Sequence, residues 1–229
     1  MTVKVKICGL TNSADVQAAV ASGADMLGFI FHPKSPRYIP PIDVCRILEL
    51  LGDVRRSVTT VGVFVNEPRE RVAHVLELCG LDAAQLHGEE PPSMLGLEGG
   101  TPEETGLFGS AYKALRPCSR ADALTNVERY ALAENGRSGG RLPAFLLDAY
   151  HPDLRGGTGL TGDWQLAAEL TGRFPLLLAG GLNPENVSEA VAMVNPWGVD
   201  AASGIEASPG RKDHAALEDF VRAVKGGPV

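Results

Sequence analysis

Short β-rich runs alternate with helix-like stretches from one end of the chain to the other, and this period constrains the fold more than any other feature. The runs fall at residues 3–8, 26–31, 60–65, 82–86, 111–115, 143–148, 175–179 and 197–203. Between and after them lie helix-like stretches at 14–21, 42–51, 69–78, 121–133, 164–170, 184–193 and 214–224, with a weak stretch after Glu89. Eight strands, each followed by such a segment, predict an α/β fold, a single parallel eight-stranded (β/α)8 TIM barrel over residues 1–229.

An open doubly wound sheet shares the alternation, but two features favour closure. The repeat count is eight, and no Gly-x-Gly-x-x-Gly follows the first strand, where a dinucleotide fold requires it. The Gly-, Pro- and Glu-rich segment at 95–109 reads as an irregular fourth helix and loop, since cutting there leaves two pieces without complete cores. A length of 229 residues suits one such barrel.

Composition narrows the function classes. A chain with 44% hydrophobic and 21% charged residues is neither disordered nor membrane-bound. The start Val3-Lys4-Val5-Lys6 reads as a strand and not as a signal peptide, so a cytoplasmic location is expected. The net charge of -7 and the absence of a basic run argue against nucleic acid as a partner, and no membrane partner is expected. The four cysteines form no CxxC pair and have no histidine at zinc-ligand spacing, which predicts reduced thiols and no metal site.

A barrel of this type carries its chemistry at the carboxyl ends of its strands. Cys8 ends the first, where Gly9 lets the chain turn away; the thiol is either a reactive group or a small buried hydrophobe. The loop after the second strand presents Lys34, which a solvated charge would explain, and Arg37, whose planar fork suits a carboxylate. His87, beyond the fourth strand, is assigned no chemical step. Asp148 follows three apolar residues at the end of the sixth strand, and reads as an acid of the site or as a cap for the next turn. Glycine pairs follow the sixth strand (Gly156, Gly157) and the seventh (Gly180, Gly181), and Ser203-Gly204 follows the eighth. The last two loops have the make-up of a barrel phosphate cradle.

Seven blocks in order then carry a resemblance: KICGLT at 6–11, GFIFHPKSPRYI at 28–39, VGVFVN at 61–66, QLHGEE at 85–90, LLDAY at 146–150, GGLNPENV at 180–187, and SGIE at 203–206 with PGRKD at 209–213. Over nearly its whole length the chain resembles the phosphoribosylanthranilate isomerase family of tryptophan biosynthesis. The resemblance implies an Amadori rearrangement of N-(5-phosphoribosyl)anthranilate to 1-(2-carboxyphenylamino)-1-deoxyribulose 5-phosphate without metal or organic cofactor. It further implies Cys8 as general base, Asp148 as general acid, Arg37 on the anthranilate carboxylate, and the phosphate on Gly180, Gly181, Ser203 and Gly204 with help from Gly156 and Gly157.

The chain departs from the family in having Ala202-Ser203 where relatives commonly carry two serines, and in the long 95–109 segment. A small phosphorylated molecule is the expected partner, bound by a monomer or homodimer. Two alternatives are a histidine-pathway or bifunctional sugar isomerase, which uses aspartate where Cys8 stands, and a non-catalytic phosphate-binding barrel.

Overall fold

The computed structural model describes residues 2–96, 107, 109–131, 141–148 and 163–226. Eight parallel strands close into a barrel in the order of the sequence: β1 (Lys4–Cys8), β2 (Met26–Ile30), β3 (Thr59–Phe64), β4 (Ala83–Leu86), β5 (Ala111–Leu115), β6 (Phe145–Asp148), β7 (Leu176–Ala179) and β8 (Gly198–Ala201). Closure is made by β1 on β8, where Lys4 stands beside Gly198 and Lys6 beside Asp200. Around the barrel run α1 (Ser13–Ala21), α2 (Pro41–Leu51), α3 (Arg69–Cys79), α4 (Arg120–Ala131), α5 (Trp164–Thr171), α6 (Val187–Val194) and α7 (His214–Lys225).

Alternation along the strands divides the core in two. Val5, Ile7, Leu27 and Phe29 point outward and join the helices in one large apolar cluster. Met26, Val61, Ala83, Tyr112, Ala114, Leu146 and Leu177 point inward and fill the barrel. The helices start where their local chemistry allows. Asn12 caps α1 by accepting from the Asp15 backbone N–H at 3.0 Å, and Asp163 and Asp213 do the same for α5 and α7.

The expected strands fall within two residues of those observed. The weak helix after Glu89 is a 3-10 turn at Pro92–Leu95, as two prolines at its start and Gly96 at its end leave no room for a longer element. Most of segment 95–109 lies outside the described residues. An unexpected feature is a small antiparallel hairpin after β8, β9 (Glu206–Ser208) and β10 (Arg211–Lys212), which folds back beside the barrel mouth.

Candidate active site

At the carboxyl ends of the strands lies a cavity of about 500 Å³. Cys8, Gln85, His87, Asp148 and Asp200 give it its polar chemistry, and Gly180, Gly181, Ser203 and Gly204 form its wall on the side of the seventh and eighth strands. A larger cleft of about 770 Å³ opens at the other end, among Lys4, Asp25, Arg56 and Trp197. It precedes the strands instead of following them and holds none of the expected site residues.

Cys8 is the last residue of β1 and is 4% exposed, with its side chain turned into the barrel. Gly9 then takes φ +75°, a left-handed conformation that turns the chain outward while its N–H and that of Leu10 both bond Gly28 O, at 3.0 and 3.1 Å. A side chain at Gly9 would also strike Arg37, whose Cδ stands 2.6 Å from the point a Cβ would occupy. Burial pushes the Cys8 thiol up from its ordinary range, Lys6 opposes this, and Asp200 reinforces it.

Asp148 ends β6 beside Ala179 and is half-buried on the cavity wall. The phosphate-cradle candidates come together on the same wall. Gly180 and Gly181 take φ +102° and +69°, and Ser203 opens a single 3-10 turn through Ile205. At Gly204 a Cβ would stand 2.0 Å from Leu182 O, so the two loops pack backbone against backbone. Gly156 and Gly157 lie outside the described residues.

Arg37 stands beside this cavity instead of lining it. Its Nε donates to Glu206 Oε1 at 2.8 Å and its Nη2 to Oε2 at 2.7 Å, a bidentate pair that occupies one edge of the guanidinium. Glu206 also accepts from Lys212 Nζ at 2.9 Å, and Lys212 donates in addition to Ala202 O at 2.9 Å. The two cations hold the Glu206 carboxyl below its usual range even though burial raises it.

Sequence reading missed Glu206 and Lys212, whose signal was the block SGIE…PGRKD itself. It also missed a buried set beneath Cys8. Lys6 Nζ donates to Asp200 Oδ1 at 2.9 Å and to Gln85 Oε1 at 3.0 Å. Gln85 Oε1 also accepts from Tyr112 Oη at 3.0 Å. With its oxygen so engaged, the Gln85 amide donates from Nε2 to His87 Nδ1 at 2.8 Å, which leaves the ring proton of His87 on Nε2. Burial, with Arg116, Lys6 and Lys113 nearby, pushes the His87 pKa down to about 4, so near neutral pH this ring is a neutral donor.

A closed parallel barrel that brings a thiol, a carboxyl and a glycine-lined recess onto one cavity at the ends of its strands has the make-up of a (β/α)8-class enzyme. The N-(5'phosphoribosyl)anthranilate (PRA) isomerase family model matches residues 5–104 and 118–223. The chain belongs to this family, and it is an isomerase of tryptophan biosynthesis. It is 42% identical over 224 residues to N-(5'-phosphoribosyl)anthranilate isomerase of Geobacter sulfurreducens, covering 98% of this chain and 99% of the relative. It is 43% identical over 222 residues to that of Rubrobacter xylanophilus, covering 97% and 98%.

The crystal structure of phosphoribosyl anthranilate isomerase from Thermotoga maritima superposes with a TM-score of 0.79 at 39% identity, over 98% of this chain and all of the other. A further solved isomerase, at TM-score 0.77 and 38% identity, is in complex with reduced 1-(o-carboxyphenylamino)-1-deoxyribulose 5-phosphate; the match covers 98% of this chain and 100% of that one. The histidine-pathway and non-catalytic alternatives are not favoured by these matches.

Proposed function

We propose that Cys8 and Asp148 are the base and acid with which this chain converts N-(5'-phosphoribosyl)anthranilate to 1-(2-carboxyphenylamino)-1-deoxyribulose 5-phosphate. One observation carries the reading: the thiol of β1 and the carboxyl of β6 line a single cavity, one wall of which is a recess of glycine backbone. Asp148 gives a proton to the furanose ring oxygen as the bond from that oxygen to C1 breaks, and the anthranilate nitrogen lone pair forms the Schiff base. Cys8 as thiolate takes the C2 proton, and those bonding electrons close the C1–C2 double bond of an enolamine. Loss of the enol proton and protonation at C1 give the ketone, so the rearrangement consumes no net proton.

The phosphate takes the wall made by Gly180, Gly181, Ser203 and Gly204, where backbone N–H groups and one hydroxyl supply donors; Gly156 and Gly157 belong to the same proposal. Arg37 receives the anthranilate carboxylate on the edge of its fork that Glu206 does not use. That a solved relative holds reduced 1-(o-carboxyphenylamino)-1-deoxyribulose 5-phosphate supports a small phosphorylated ligand here. The reading extends to one barrel domain over residues 1–229, cytoplasmic, acting without cofactor as a monomer or homodimer; sedimentation equilibrium separates the last two.

The test is the loss of phosphoribosylanthranilate fluorescence on turnover by wild type, Cys8→Ser and Asp148→Asn. Either variant is expected to lose at least about 100-fold in kcat, the usual worth of a positioned acid or base. Full activity in one of them removes that residue from the mechanism.

A further inference from the structure

Lys6 is fully buried, and it lies one layer below Cys8. The two stand two residues apart on β1 and so share its inward face. A barrel interior is ordinarily filled by branched apolar side chains, and a buried ammonium costs stability unless several partners hold it. Here they do: Asp200 from β8 and Gln85 from β4 accept hydrogen bonds from it, and Tyr112 from β5 fixes Gln85 in turn. Burial works against the Lys6 charge, but Asp200 together with Cys8 and Tyr112 outweighs it and holds the group above the usual lysine range.

Gly28 brings this charge to the thiol. β2 pairs Gly28 with Cys8, and the point where a Gly28 Cβ would stand is 2.8 Å from Cys8 Sγ and 3.2 Å from Lys6 Cε. The sulfur and the end of the lysine stem thus share the space that glycine leaves open. We infer that Lys6, clamped by Asp200 and Gln85, is a positioning residue that promotes ionisation of Cys8 from beneath, while the Asp200 carboxylate restrains it. Lys6 sits in the layer below the cavity wall and touches no substrate in this role. It adds positive potential from beneath to a thiolate in a dry site.

Other groups also bear on Cys8. Lys212 of β10 and Arg37 of the loop after β2 are cations near it. Tyr112 of β5 couples to it, Asp148 and His87 share its cavity, and Glu206 holds Lys212 and Arg37. Lys6 is set apart from the other two cations by position. It shares with Cys8 the space beside Gly28, whereas Arg37 and Lys212 are drawn to the Glu206 carboxylate of the hairpin. Any consequence for turnover rests on the reading of Cys8 as the base; the electrostatic coupling itself does not.

The test follows the thiol and not the reaction. The rate at which iodoacetamide alkylates Cys8 is measured across pH in wild type, Lys6→Met and Asp200→Asn, with the Cys8 peptide quantified by mass spectrometry. Lys6→Met is expected to move the alkylation midpoint up by about one to three pH units, and Asp200→Asn to move it down. An unmoved midpoint in Lys6→Met, or shifts of the same sign in both variants, overturns the inference. If Lys6→Met fails to fold by circular dichroism, Asp200→Asn decides alone: a downward shift supports the coupling, and no shift or an upward one overturns it. A midpoint that follows Lys6 in an enzyme whose Cys8→Ser variant keeps full turnover upholds the coupling and discards Cys8 as base.

Discussion

The guanidinium of Arg37 and the carboxylate of Glu206 meet edge to edge, with Nε–Oε1 at 2.8 Å and Nη2–Oε2 at 2.7 Å, although 169 residues separate them in the chain. The pair joins the loop after β2 to the hairpin after β8, and Lys212 grips the same carboxylate from the other side at 2.9 Å. A guanidinium presents two usable edges, so Glu206 orients Arg37 without consuming its capacity for a second carboxylate.

Glu206→Gln keeps the shape of this clamp but removes its charge. The expected result is a rise in KM for phosphoribosylanthranilate of about 10-fold, the worth of one charge-assisted hydrogen bond, with kcat changed less. Arg37→Lys is expected to raise KM as well, because a point charge cannot serve two carboxylates in one plane. Steady-state kinetics on both variants checks this; an unchanged KM in Glu206→Gln would show that Arg37 holds its place without the pair.

Gly28→Ala addresses the packing around Cys8. The added methyl carbon would lie 2.8 Å from Cys8 Sγ and 3.1 Å from the Cys8 Cα, and backbone cannot swing aside as a side chain can. Overpacking of this kind costs about 1–3 kcal/mol, and here the strain falls on the thiol's position. Turnover is expected to drop by at least about 10-fold, since a small misplacement of a catalytic group costs up to about 100-fold. Kinetics paired with a thermal melt separates the two effects, and a wild-type kcat would refute the packing argument.

The period of apolar runs located the eight strands because each is buried on both faces, and burial on both faces selects continuous β-rich segments. That Cys8 and Asp148 would stand at strand ends on one cavity was legible for a related reason: each is a polar or reactive residue closing such a run, at the end of the barrel where pockets form. Lys6 was legible in principle. It stands two residues before Cys8, which puts both on one face of a strand. What could not be read was its company, since the register of Lys6 beside Asp200 exists only once β1 closes on β8. The β9–β10 hairpin escaped because strands of three and two residues have no measurable period. Arg37 was read as a planar fork suited to a carboxylate, and the hairpin supplies one, Glu206, that takes one edge.

Another buried ion pair supports the floor of the loops after β3 and β4. Lys113 Nζ donates to Glu90 Oε2 at 3.0 Å and to the Leu86 and Gly88 carbonyls at 3.2 and 2.5 Å. Glu90 accepts in turn from the backbone N–H groups of Asn66 and Gly88 at 2.8 and 2.9 Å. Removing one member leaves the other charged and dry, so Lys113→Met is expected to lose about 3–5 kcal/mol of stability. Urea denaturation measures it. The double variant Lys113→Met/Glu90→Gln, which removes both charges, is expected to recover part of that loss; a double variant no more stable than the single would locate the cost in packing instead.

Asp15 ties the same hairpin to the barrel from the opposite side, and its charge gives stability a defined pH dependence. It is 4% exposed, and it accepts from the Lys212 backbone N–H at 2.9 Å, from His214 Nε2 at 2.8 Å and from Asn12 Nδ2 at 2.7 Å. Burial raises the Asp15 carboxyl, but these donors outweigh it and hold the group below its ordinary value. The unfolded chain therefore takes up the proton first as pH falls. The stabilisation is complete above about pH 5 and is lost as the pH drops through the unfolded and then the folded value. In Asp15→Asn the stability gap from wild type should accordingly be widest near pH 7 and should narrow by pH 3, as read from urea midpoints at both. A gap of the same size at pH 3 would show that Asp15 acts through neutral hydrogen bonds alone. Since Lys212 follows Asp15 through its backbone and Glu206 follows Lys212, the KM of Asp15→Asn should rise along with that of Glu206→Gln.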